Sequence, residues 1–160
     1  MNRIPETRID KKAIKAWVIS GLILGLVWLA VPALAFYYSY KFEPIPQYIL
    51  WSLLAFMLVI YLVNAFIVPK VRWQRWRYDI TENEIDLQRG FIIRKRTVIP
   101  INRIQHVDTS QGPIYRKLSL SSVKISTAAT THEIPALDDE TAADVRNKIS
   151  LLVRKAKEDV

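Results

Sequence analysis

Residues 16–40 read AWVISGLILGLVWLAVPALAFYYSY, and residues 44–69 read PIPQYILWSLLAFMLVIYLVNAFIVP. Neither run contains a charged side chain. Lys15 and Lys41 bound the first, Glu43 and Lys70 the second. A helix needs about 20 mostly apolar residues to cross a hydrocarbon core about 30 Å thick. Both runs exceed that length. The chain is therefore expected to cross a membrane twice, over about 16–40 and 47–69.

The flanking charges orient these spans. Arg3, Arg8, Lys11, Lys12 and Lys15 precede the first, against Glu6 and Asp10. Lys70, Arg72, Arg75 and Arg77 follow the second before the first acid, Asp79. The loop between the spans holds only Lys41 and Glu43. Basic residues favour the cytoplasmic side. The expectation is a hairpin in the bacterial cell (inner) membrane with both termini cytoplasmic. Pro44 and Pro46 stop the first helix and restart the chain extended. Tyr and Trp cluster at the run ends, and Trp73 and Trp76 are expected just beyond the inner interface. Ala33-Leu34-Ala35 has the form of a signal-peptidase site. The apolar stretch before it is too long for a signal h-region, so retention is expected.

Within the first run, Gly21 and Gly25 form a Gly-x-x-x-Gly pair. Such spacing lets helix backbones approach. It serves either a partner helix or packing within the hairpin, and the second is the simpler expectation. Asn64 is the amide well inside the second run, and a structural role is expected of it. With no charge in either span, nothing in the sequence marks an ion path.

The chain has 160 residues, of which about ninety follow Lys70. That suffices for one small domain. The expected division is residues 1–70, a cytoplasmic tail plus hairpin, and 71–160, a cytosolic domain. There is no cysteine, which excludes disulfides and a thiolate nucleophile and suits a reducing compartment. The net charge of +8 does not point to nucleic acid. From Lys70 onward there are 17 basic and 12 acidic residues, and four of the basic ones are the membrane flank. The remainder is nearly balanced, so no nucleic-acid footprint is expected.

From Arg72 the pattern turns to short period-two segments. Strands are expected at Tyr78–Ile80, Ile85–Gln88, Phe91–Ile99, Ile104–Val107, Leu118–Ile125 and His132–Leu137. Pro100 argues for an edge or a bulge. Ile114–Lys117 reads as a helical turn and Thr127–Thr131 as a loop. The tail then changes period. Ala142, Val145, Ile149 and Leu152 form one helical face over about 139–157, with Asp138 or Asp139 at its start and Arg154, Lys155 and Lys157 at its end. Such a helix closes the open end of a bent sheet.

Three segments carry a family resemblance: Tyr78-Asp79-Ile80-Thr81, Ile85-Asp86-Leu87-Gln88-Arg89-Gly90, and Ile99-Pro100-Ile101-Asn102-Arg103-Ile104-Gln105-His106-Val107. Gln111-Gly112-Pro113 before Arg116-Lys117-Leu118-Ser119-Leu120 adds to them. Together with two preceding spans, this resembles the membrane-flanking bacterial PH-like domain of the YdbS-like group. The resemblance implies a PH-like barrel: about seven strands in two bent sheets with a C-terminal helix. It also implies work beside a larger membrane protein with related domains, and supplies no catalytic residue. The family often has Gly at the positions of Ser119 and Ala129, so turn geometry there is in question.

Visible chemistry is slight. His106 and Asp108 share a strand face at most, and a metal site needs further ligands. No phosphate loop or nucleophile motif occurs. No catalytic residue, metal or cofactor is expected. Arg94, Lys95 and Arg96, with Arg89 and Arg103 nearby, form the densest basic cluster. It suits anionic lipid headgroups or a solvated edge that resists aggregation. The acidic turn Thr81–Glu84 argues against a phosphoinositide site. The leading expectation is a non-enzymatic interaction module, with lipids, a related membrane protein or further copies of the chain as partners. Lipid sensing through the basic cluster is the alternative.

Overall fold

The computed structural model describes residues 5–42, 44–90 and 93–158. They divide into two compact units. Residues 17–70 make one, and residues up to 16 together with those from 71 make the other.

In the first unit, helix α1 (Lys12–Trp28) is followed by α2 (Ala30–Lys41), with a break at Leu29. Pro32 explains the break, because it has no N–H for the carbonyl of Trp28, four residues earlier. The sequence reading assigned no kink here. After the turn, the Ser39 hydroxyl accepts from the Ile45 amide at 2.8 Å. Helix α3 (Gln47–Leu62) then runs into a π turn (Val63–Ile67) and on into α4 (Val68–Arg75). The rings of Phe36 and Trp51 meet edge to face at 5.6 Å between α2 and α3. The two helical stretches are 30 and 29 residues long and keep most of their apolar surface uncovered, as lipid-facing helices do.

Helix α4 persists to Arg75, so period two begins at Arg77 and not at Arg72 as the sequence reading has it. Trp76, which follows α4, is buried, 3 % exposed.

The second unit holds seven strands in two antiparallel sheets. One sheet has the order β1 (Thr7–Arg8), β2 (Arg77–Ile80), β3 (Glu84–Arg89), β4 (Lys95–Pro100). The other has β5 (Ile104–Ser110), β6 (Leu120–Thr127) and β7 (Thr131–Asp138). A 3-10 corner at Ile101–Arg103 joins them, and the short helix α5 (Pro113–Lys117) precedes β6. Helix α6 (Asp139–Glu158) lies against β5, β6, β7 and the corner. Ala142, Val145 and Ile149 face inward, as their helical spacing predicts. They join a core that includes Ile85, Leu87, Ile104, Val123, Ile125 and Ile134. This is the PH-like barrel with its C-terminal helix.

One local reading changes. The strand expected from Phe91 begins at Lys95, which pairs with Arg89. Phe91 and Ile92 lie outside the described residues. Gly90 turns the chain with φ +137, and a Cβ there would lie 1.9 Å from the Ile93 carbonyl oxygen, so only glycine fits. Helix α6 begins at Asp139, directly after Asp138. The Asp139 carboxylate accepts from Ser121 Oγ at 2.7 Å and Gln111 Nε2 at 3.0 Å, tying the helix start to β6.

The N-terminal segment, expected as a tail, is part of this unit. Thr7 pairs with Tyr78 and Arg8 with Arg77. The Arg8 guanidinium lies 5.6 Å from the Trp73 ring centroid, and Trp73 Nε1 donates to the Ile9 carbonyl at 3.1 Å. Asp10 donates its amide to Ala136 O at 3.1 Å, and its carboxylate accepts from the Lys12 amide at 2.7 Å. Lys12 Nζ reaches Asp138 at 3.0 Å. Ala136 is available because β7 bulges there. Ser121 pairs with Leu137 but Val123 with Ile134, so Pro135 and Ala136 stand opposite Ser122 alone. Ala136 takes φ +51.

Ser119, between α5 and β6, has φ +53. A side chain there carries a steric cost that glycine avoids. Ser119→Gly is expected to raise stability by about 0.5–1 kcal/mol, read as a higher unfolding midpoint of the full chain in detergent.

Candidate functional site

Three places collect the residues singled out above. The first is the basic strand face. Arg94 and Lys95 are exposed, and Lys95 opens β4. Arg96 differs. Its Nε donates to Asp86 Oδ2 at 2.8 Å, and its NH2 group reaches the same carboxylate. In the ladder Asp86 stands opposite Val98 and Gln88 opposite Arg96, so the pair is diagonal. Asp86 is only 7 % exposed. Alternation predicts it on the solvent side, and the guanidinium is what covers it. Arg96 is thus committed to its own sheet, and the structure does not present the three basic residues as one equivalent cluster.

The second is the hairpin seam. Gly21 and Gly25 face the second helical stretch: a Cβ on Gly21 would sit 3.3 Å from Ala65 Cα, and one on Gly25 would sit 2.1 Å from Tyr61 ring carbons. The glycine spacing thus admits the partner helix of the same hairpin. Asn64 Nδ2 donates to the Ile60 carbonyl at 2.9 Å. It lies inside the π turn, where the ladder slips by one residue and a side-chain donor can bond the preceding turn. These groups border a crevice of about 440 Å³, with Trp28, Met57 and Ile60 beside them.

The third place was not assembled by sequence reasoning. A groove of about 720 Å³ runs between the two sheets, lined by Val98–Pro100 of β4, Asn102–Gln105 of the corner and β5, residues 127–130, His132 and Lys157. Arg103 and Lys157 are its charged lining residues, with no Asp or Glu among the described ones. Burial, then the positive charges of Arg89 and Lys95, hold the His132 imidazole below its usual range. The signal was in the sequence only as scattered basic residues. Their convergence depends on the corner at Ile101 and on α6 crossing the sheet.

His106 Nε2 and Asp108 Oδ2 lie 3.6 Å apart on the exposed face of β5. Among the described residues, no three His, Cys, Asp or Glu side chains gather as metal ligands do.

The family model for the bacterial PH domain matches residues 7–153, from the first residue of β1 into α6. The chain belongs to the bacterial PH domain family. It is 42 % identical, over 164 aligned positions and the whole of both chains, to the UPF0699 transmembrane protein YdbS of Bacillus subtilis (strain 168). It is also 31 % identical over 101 positions to the UPF0699 transmembrane protein YdbT of the same organism, covering 63 % of this chain and 20 % of YdbT. No solved structure matches it. The chain is thus a UPF0699-type membrane protein with two candidate membrane helices and a bacterial PH domain.

Two outcomes follow from these contacts. Gly25→Ala is expected to destabilise the hairpin by about 1–3 kcal/mol, with a smaller loss in a Tyr61→Ala background, measured by denaturant unfolding in detergent. Arg96→Ala is expected to lower the thermal midpoint more than Asp86→Ala. The first leaves a buried carboxylate without its partner, the second a guanidinium that reaches water.

Proposed function

We propose that this protein is a non-enzymatic, membrane-anchored interaction module. Its hairpin places the PH-like domain at the inner face of the bacterial membrane, with both termini cytoplasmic. There it works as a subunit of a complex with a larger membrane protein that carries a related segment. The observation that carries this reading is the pair of strands β4 and β5. Each is one edge of its sheet, on a domain that the chain leaves for the membrane hairpin and re-enters after it. Sheet edges accept partner strands through main-chain hydrogen bonds.

Two further facts support it. The basic residues cluster on the side of the hairpin that bears the domain, as cytoplasmic placement requires. YdbT, of which the matched region is one fifth, is a larger relative from the same organism as YdbS, which fits a larger partner with a related segment. Self-association belongs to the same reading, since the edge strands of two copies are equivalent.

The test is a pull-down of the tagged full-length chain from native membranes in gentle detergent, with mass spectrometry of what accompanies it. A stoichiometric membrane protein with a related domain is the expected result. A chain recovered alone overturns the reading. Anionic lipid on that lone chain would move the role to Arg94 and Lys95 and to headgroup contact.

A further inference from the structure

The geometry points to the groove between the two sheets as the docking place for an extended acidic segment of the partner protein. This inference rests on the interaction-module reading and names its site and ligand chemistry.

The shape comes first. Val98–Pro100 of β4 and Ile104–Gln105 of β5 both line the groove. Among the described residues β4 pairs with β3 alone and β5 with β6 alone. Each strand therefore has one side of main-chain donors and acceptors without a strand partner. A peptide in extended form carries the matching set. A small anion does not, and would leave both edges unused.

Polarity comes second. Ile99 and Ile104 are buried, and Val98 remains 45 % exposed, so the groove offers apolar surface beside its strand edges. Charge at the site is of one sign. Arg103 rises from the corner and Lys157 from the last turn of α6. Burial, and after it the positive charges of Arg89 and Lys95, disfavour protonation of His132 near the start of β7. An extended segment projects alternate side chains to opposite sides. A sequence alternating apolar with acidic residues would set one row on the apolar surface and the other toward Arg103 and Lys157. Electrostatic complementarity of this kind selects the partner and speeds its arrival.

The test is selection of a random peptide library on the full-length chain in detergent, followed by affinity measurement of the enriched peptides. Acid-rich sequences are expected. Their affinity should fall at least about tenfold for Arg103→Glu/Lys157→Glu and should weaken with added salt. Both positions are exposed, so this variant is expected to melt as the parent does. Arg103→Gln/Lys157→Gln answers the same question should charge reversal disturb folding. Enriched peptides without acids, no enrichment, or equal affinity for the variants would each overturn the proposal. So would variants that lose binding to phosphatidylglycerol vesicles while no peptide is selected, since the groove would then be a lipid site. The pull-down separates this inference from the reading beneath it. A partner retained by the charge-reversed chain removes the groove and keeps the module. A parent chain without any partner removes the module itself.

Discussion

The docking of Asp10 onto the bulge of β7 is the contact on which the architecture turns. One residue does two things. Its amide reaches the carbonyl of Ala136, and its carboxylate holds the first amide of α1. The bulge makes the first possible, because Pro135 cannot donate to a ladder and the chain must step out of register around it. The second starts the helix that becomes the first membrane span. Strand β1, the Arg8–Trp73 stack and the Lys12–Asp138 pair surround this contact. Lys12 and Asp138 are exposed, so their ion pair adds little. The stability lies in main-chain pairing and in the buried Ile9, whose burial stabilises by about 25 cal/mol per Å² of apolar surface removed from water.

What was legible in the sequence follows from how strict each environment is. Lipid permits no charge and no unpaired backbone over about 30 Å, so the two spans were plain. Helix α6 was plain because a single face repeats at helical spacing. Strand β3, with its clean alternation of Ile85 and Leu87 against Asp86 and Gln88, was found for the same reason. Two-residue β1 was not, since Thr7 and Arg8 carry no pattern and their pairing with β2 is decided by chain some seventy residues away. The start of β4 was misplaced because Ile93 is apolar yet 81 % exposed, beyond a turn that Gly90 imposes. Asp86 alternates with Ile85 and Leu87, and the diagonal position of Arg96 shows how its carboxylate is held in burial.

The candidate sites differ in the same way. Gly21 and Gly25 were visible as a spacing, and the structure shows what stands opposite them. Arg94–Arg96 were visible as a run, and the structure adds that Arg96 is paired with Asp86 across the sheet. The groove was invisible as such, because its lining cations, Arg103 and Lys157, come from the corner and the last helix. No window along the sequence contains them together.

The domain is discontinuous: its first strand precedes the hairpin and the rest follows it. This orders the steps of its birth. When β1 leaves the ribosome, its partner β2 does not yet exist, and both spans must be made before it does. Synthesis of both spans therefore comes before domain closure. The PH-like fold also cannot be cut out as one uninterrupted fragment. A piece starting after the hairpin would expose the edge of β2, with Tyr78 uncovered, and would present a strand that invites association not found in the whole chain.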